Sequence, residues 1–383
     1  MIRRHLAGSL PALAALVSTS CAVGPAGGAG RAAVVYVLSA RDATIARLDA
    51  ATGRELGPRL PAGAGPGALA VGGGAAVVQP ASWRDAGGLT HVARTENGWA
   101  AEPLAVDPAG RSLALAGDGE RFAVLAYSHR AGAPRCRLAL IDVHDGAVVR
   151  SSPVGAAGDA VVGLALATTG AGPIAFLVLW RPPGLAGAGR DGDRGGGRVL
   201  AVAAATGTEL ASYALAGVPG EAVVAPVPGE SGEPEVRLYV VEGLGGETAD
   251  PARGPDVAAA DRWRVLALRP LALDLERTYP APVPPRALAV APEGRHAYAF
   301  AGRGHPVLPS TVVTLDLATG AWRDLARGPG SGAGGLAVAA GRLYVPHLEA
   351  DRVTAFDQRT GALLGALDAG RAPAALAVGR WVP

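Results

Sequence analysis

The sequence predicts an all-β chain, a seven-bladed β-propeller of four-stranded antiparallel blades closed by pairing of its N- and C-terminal strands. Three observations predict it. A unit of apolar strand, polar loop, alternating strand and tight turn recurs seven times. The turn carries a recurring Asp-x-x-Thr-Gly signature. The composition, with 56 Gly, 31 Pro and only 4% aromatics in 383 residues, suits short strands joined by tight turns and disfavours helices. Length alone would allow two or three domains, but repeats add blades without starting a new core.

The first element is an address. Residues 1–20 pair Arg3 and Arg4 with an apolar run from Leu6 to Val17 and small residues Ser18 to Ser20. That is the layout of a signal peptide, and the run is too short to span a bilayer of ~30 Å. Residues 21–32 form a Gly-rich tether. Ser18-Thr19-Ser20-Cys21 resembles a lipobox, which implies lipidation of Cys21; Ser18 stands where that pattern prefers an aliphatic residue. The alternative is ordinary cleavage near Ser20 or Ala22. No later stretch reaches about 18 uninterrupted apolar residues, so membrane contact is expected only through a lipid anchor at Cys21.

Residues 33–383 are the propeller. The first apolar strand of each unit starts near Val34, Ala76, Phe122, Ala175, Arg237, Ala297 and Leu343, in steps of 42 to 62 residues. Four short strands need about 40–45 residues per blade, and the longer steps hold insertions. The turn reads DAATG (49–53), RTENG (94–98), DVHDG (142–146), AAATG (203–207), DLATG (316–320) and DQRTG (357–361). Unit five replaces it with LRPLALD. Asp and Thr bond the backbone of such a turn, and Gly takes its left-handed position. A Leu-Ala-Val-like inner strand is expected at 69–71, 104–106, 164–166, 222–225, 288–290, 336–338 and 376–378. The first unit starts with its second strand and the last ends with an inner strand, so the two ends should share one blade and leave no open edge.

The pattern resembles the YVTN-type β-propeller repeat proteins, related to NHL and quinoprotein-like propellers. The resemblance is carried by VVYV (34–37), LYV (343–345), the Asp-x-x-Thr-Gly turns and GRAPAALAV (370–378), and covers about residues 33–381. It implies an architecture and leaves the activity open, because such folds host unrelated functions.

Insertions fall after the second strands, at 81–90, 129–136, 181–198, 242–262 and 302–310. In propellers of this resemblance that face also receives the loops entering the inner strands. It collects Ser39, Arg41, Trp83, Arg84, His129, Arg130, Arg181, Glu242, Arg303, His305, His347, Glu349 and Asp351, with His91 nearby. His129, Arg130, Arg181, Glu242, His305, His347 and Glu349 are the candidate ligand-binding residues. The alternative is that strand ends are polar because they meet water.

Established catalytic patterns are largely missing. No Gly-x-Ser-x-Gly elbow joins a strand to a helix, and a P-loop needs a Lys that the chain lacks. DGDRGGG (191–197) lacks the twelfth-position Glu of an EF-hand loop. Cys21 and Cys136 have no metal-like spacing, and Cys136 reads as a small buried hydrophobe. Thr319-Gly320-Ala321-Trp322 is similar to the tryptophan-docking turns of quinone-cofactor propellers, but one repeat alone has that Trp. No catalytic residue, cofactor or metal is assigned. Net charge is +2 without an Arg stripe, so no nucleic-acid partner is expected.

The expected function is therefore a non-catalytic, exported, membrane-anchored binding or scaffold propeller. It would be a monomer at the outer face of the cytoplasmic membrane or in the periplasm, with a cell-envelope protein or a small molecule as partner. The alternative is an exported propeller enzyme, a lactonase-like hydrolase or quinoprotein-like oxidoreductase, with its site at the top of the central axis.

Overall fold

A computed structural model describes residues 33–81, 88–104, 106, 110–129, 136–181, 196–228, 234–244, 263–283, 285, 287–301, 310–328 and 335–380. The described residues form strands and turns and no helix. They build seven four-stranded antiparallel blades. The signal and tether residues, Cys21 among them, lie outside the described residues.

Blade 1 joins the chain's two ends. Its inner strand is Pro373–Arg380 and its second strand is Ala33–Ser39, paired from Ala33 against Arg380 to Ser39 against Pro373. The inner strands of blades 2 to 7 are Pro66–Gly72, Gly110–Gly117, Ala160–Thr169, Val218–Pro228, Leu288–Val290 and Ala337–Ala339. Each lies against the next around the ring, and the seventh returns to the first. The sheet edges at the two termini thus satisfy each other.

One expected strand sits elsewhere. Leu104 to Val106 is not the inner strand of blade 3, which is Gly110–Gly117. Leu104 and Val106 pack half-buried under the seam between blades 2 and 3. The shared Leu-Ala-Val lettering hid the difference, because the following RSLALAG matches the same apolar alternation.

Alternation along each strand feeds both blade faces. Val35 and Val37 pack towards blade 7, whereas Val34, Tyr36 and Leu38 pack towards blade 2. The buried apolar side chains fall into seven clusters, one per seam. A lone blade would leave both faces wet, so the fold's stability lies in the seams.

One end of the ring is closed by the turns joining third and outer strands. Asp49 Oδ1 accepts from Thr52 N (2.7 Å) and Thr52 Oγ (2.7 Å), and Gly53 takes φ +76°. Asp357, Thr360 and Gly361 repeat this geometry. In blade 5 Leu273 takes the glycine's place at φ +54° and donates to Arg269 O at 2.8 Å. Its full burial in the seam between blades 4 and 5 offsets that backbone cost.

The residue after the turn's first position receives a latch from the preceding blade. Tyr279 donates to Leu317 O (3.0 Å), Tyr298 to Gln358 O (3.1 Å) and Tyr344 to Ala50 O (2.8 Å). His91 Nε2 meets Val143 O at 2.8 Å in the same way. His91 is therefore a seam latch at the turn end and not a neighbour of the opposite face.

Candidate functional site

Antiparallel succession puts the ends of the second strands, the starts of the third strands and the crossovers into the inner strands at the other end of the ring. Ser39, Pro80, His129, Arg181, Glu242, Ala301 and His347 occupy equivalent positions at the ends of the seven second strands. Four of the seven sequence candidates thus share one register position. Arg130 and His305 lie outside the described residues, as do Trp83, Arg84 and Arg303.

The described members of this set are drawn into the seams. Ser39 is buried and donates to Ala369 O at 2.7 Å. Glu242 has no exposed surface; its Oε1 accepts from Gly217 N (2.7 Å) and its Oε2 from Arg264 Nε (2.5 Å). Arg181 donates through Nη2 to Asp159 Oδ1 at 2.9 Å, and Arg198 ion-pairs with Asp159 Oδ2. Ala369, Asp159 and Gly217 all belong to the crossover entering the inner strand of the same blade. In blades 1, 4 and 5 this position therefore ties the crossover down.

Among the described residues the Asp159 cluster sets two guanidiniums against one carboxylate. The carboxylate is 3% exposed, while the two arginine side chains keep about a third of their surface, 31% and 32%. Ala156 N adds a hydrogen bond at 2.7 Å. The neighbouring Cys136 thiol donates to Asp159 O, and burial pushes it up to about 11, so it is an inert thiol.

His347 is buried at 1% exposure among the apolar residues of the seam between blades 6 and 7. Its Nε2 has no hydrogen-bond partner. Burial, reinforced by the positive charge of Arg352, lowers the imidazole to about 4, so it is neutral at physiological pH. Glu349 is exposed just beyond it. At the closure of the ring Asp42 binds Arg371 (2.7 Å), and Asp351 accepts from Ala372 N (2.8 Å) with Arg41 at 3.8 Å.

One residue escaped sequence reasoning. The inner strands of blades 1 to 5 bulge at their crossover ends, where one or two residues face a single partner or none. The extra residues are Ala374, Gly67, Arg111 with Ser112, Val162, and Gly220 with Glu221. Bulges re-aim side chains and gather beside active sites. Glu221 Oε2 accepts from Leu288 N of the next inner strand at 2.9 Å. Its Oε1 is buried without a partner. Burial raises its carboxyl well above the usual range, and the Leu288 hydrogen bond opposes this only in part. The available signal was a Glu directly before the AVV of an inner strand.

Glu221 and Glu242 flank the entrance of blade 5 on its two sides. Glu242 is matched by a guanidinium, and Glu221 by no cation among the described residues. No group of three or more metal-ligating side chains occurs among the described residues.

No protein-family model matches the chain, and no curated protein matches it in sequence. Solved structures do match. The periplasmic gluconolactonase PpgL of Pseudomonas aeruginosa is 18% identical with a TM-score of 0.56, over 92% of this chain and 99% of its own. A candidate 6-phosphogluconolactonase from Bacteroides fragilis is 13% identical with a TM-score of 0.55, over 94% and 100%. The dihydro-heme d1 dehydrogenase NirN is 14% identical with a TM-score of 0.51, over 97% and 82%. At these identities the likeness shows the propeller fold alone.

The comparison nevertheless corrects the main functional expectation. The non-catalytic binding or scaffold propeller gives way to the enzyme alternative, because these propellers, matched over nearly the whole of this chain, are described as lactonases and a dehydrogenase.

Proposed function

We propose that this chain is an exported propeller enzyme, a hydrolase of the lactonase type, with its site at the crossover end of the central axis. The observation that carries the proposal is the distribution of charge. The ion pairs of the turn end, Arg121–Asp142 and Arg269–Asp274, keep their guanidiniums largely exposed, while the crossover end buries Asp159 and Glu242 against Arg181, Arg198 and Arg264 and buries His347 at the equivalent strand end of blade 7. Hydrolysis of a lactone develops negative charge on the carbonyl oxygen. The two guanidiniums of Arg181 and Arg198 suit an oxyanion or a carboxylate product. His129, Arg130, His305 and Glu349 are proposed to complete the lining from neighbouring blades.

The test is hydrolysis of five- and six-membered sugar lactones by the purified protein, followed by proton release at pH 7 beside dye-reduction assays for dehydrogenation. Saturable hydrolysis with a kcat/KM on the order of 10⁴ M⁻¹s⁻¹ or more is expected, and Arg181→Ala lowers it. Dye reduction without hydrolysis would turn the assignment to an oxidoreductase. Export and a lipid anchor at Cys21 are part of the proposal, in keeping with a periplasmic protein among the structural neighbours. Cys21→Ala should release the protein from membranes, and unchanged membrane association would remove the anchor.

A further inference from the structure

The crossover end holds one ionisable side chain on an inner strand with a buried, unpartnered oxygen. Glu221 sits in the two-residue bulge of blade 5, between Pro219 against Glu242 and Ala222 against Val240. One carboxyl oxygen is fixed on Leu288 N of the next inner strand. The other has no exposed surface and no hydrogen-bond partner, although the residue as a whole keeps part of its surface exposed. Among the described residues no cation pairs with it, and the guanidinium of Arg264 is engaged by Glu242 on the other face of the blade. A dry carboxyl without a cation or a donor for its second oxygen keeps its proton. Such a group donates to an oxygen and does not attract a cation.

We propose that Glu221 is the proton donor of this site, meeting the ring oxygen of a cyclic ester at the mouth of the axis. In the step, water adds to the acyl carbon and the bond from that carbon to the ring oxygen breaks. The Glu221 proton passes to the departing ring oxygen, which becomes a hydroxyl. The proton lost by the attacking water restores the carboxyl through solvent, so lactone and water balance the hydroxy acid. Rotation about the terminal torsion only exchanges the two oxygens, so a ligand reaches the free one through a rotamer change of the partly exposed side chain. The role rests on the lactonase-type reading above and adds to it the residue that serves the leaving oxygen.

Glu221→Gln keeps the acceptor for Leu288 N and removes the proton. It should lower kcat on a sugar lactone by about 10²–10⁴-fold, as loss of a general acid does, with KM within about threefold. Glu221→Asp should recover part of the loss. Independently of turnover, the infrared spectrum of the wild type at pH 7 should show a protonated-carboxyl band that Glu221→Gln lacks, and a sugar lactam, a non-hydrolysable analogue, should shift that band. Hydrolysis by Glu221→Gln within threefold of the wild type overturns the donor role while leaving the lactonase reading standing. If the wild type hydrolyses no lactone, the lactonase reading fails, and the infrared result then decides for Glu221. A band shifted by the lactam supports contact with a cyclic acyl ligand, and an absent or unmoved band overturns it.

Discussion

Tyr344→Phe tests whether seam latches hold the ring shut. Tyr344 has no exposed surface, and its hydroxyl donates to Ala50 O at 2.8 Å across the seam between blades 7 and 1. Phe preserves the ring and its packing against Val35, Val37 and Leu376, so no large cavity opens. What is lost is one buried hydrogen bond, and Ala50 O is left without that donor. A net bond contributes about 1 kcal/mol, and a buried group left unsatisfied costs about 1–3 kcal/mol. We expect about 1.5 kcal/mol. With a urea m-value of about 3 kcal/mol/M, the unfolding midpoint should fall by about 0.5 M at unchanged m. Tyr36→Phe is the control, since Tyr36 makes no such latch among the described residues; it should move the midpoint far less. Equal midpoints for wild type and Tyr344→Phe would show that the carbonyl is served equally well by water and that the latch contributes nothing to closure.

Acid should weaken the fold through His347. Its folded value of about 4 lies below the ordinary 6.5, so the unfolded chain binds the proton first as pH falls. The associated stability is intact above about pH 6.5 and is lost by about pH 4, some 3 kcal/mol in all; urea midpoints at pH 7, 5.5 and 4.5 should show this loss in the wild type and a smaller one in His347→Gln. Gly361→Ala should cost about 3 kcal/mol or more, read as a lowered midpoint in thermal or urea unfolding. Its φ is +72°, and an added Cβ would collide with the Leu325 carbonyl oxygen of the neighbouring blade. A variant as stable as the wild type would mean that the turn shifts freely.

Most of the architecture was legible in the sequence because it repeats. Starts read near Val34, Phe122, Ala297 and Leu343 fall within a residue of the observed second strands, since strand alternation and the Asp-x-x-Thr-Gly turn are local signals. Leu104 to Val106 misled because two adjacent segments offer the same apolar letters, and only pairing across the blade separates them. The equivalence of His129, Arg181, Glu242 and His347 follows from the repeat and was partly visible. Their destination was not: polarity at a strand end reads as contact with water, whereas Glu242 and His347 are buried, Glu242 against the crossover at Gly217. Glu221 was hidden for a different reason. A bulge changes the facing of a side chain without changing the composition around it, and a Glu beside an inner strand looks like a loop residue.

The pairing of Ala33–Ser39 with Pro373–Arg380 has a consequence for biogenesis. Synthesis delivers the chain from its N-terminus, so blades 2 to 7 can assemble while blade 1 still lacks its central ribbon. Until Pro373–Arg380 emerges, the nascent molecule is an arc with a bare seam, exposed to proteases and to pairing with other chains. Loss of Pro373–Arg380 would leave that arc permanently open, which makes this one strand a checkpoint for the whole ring.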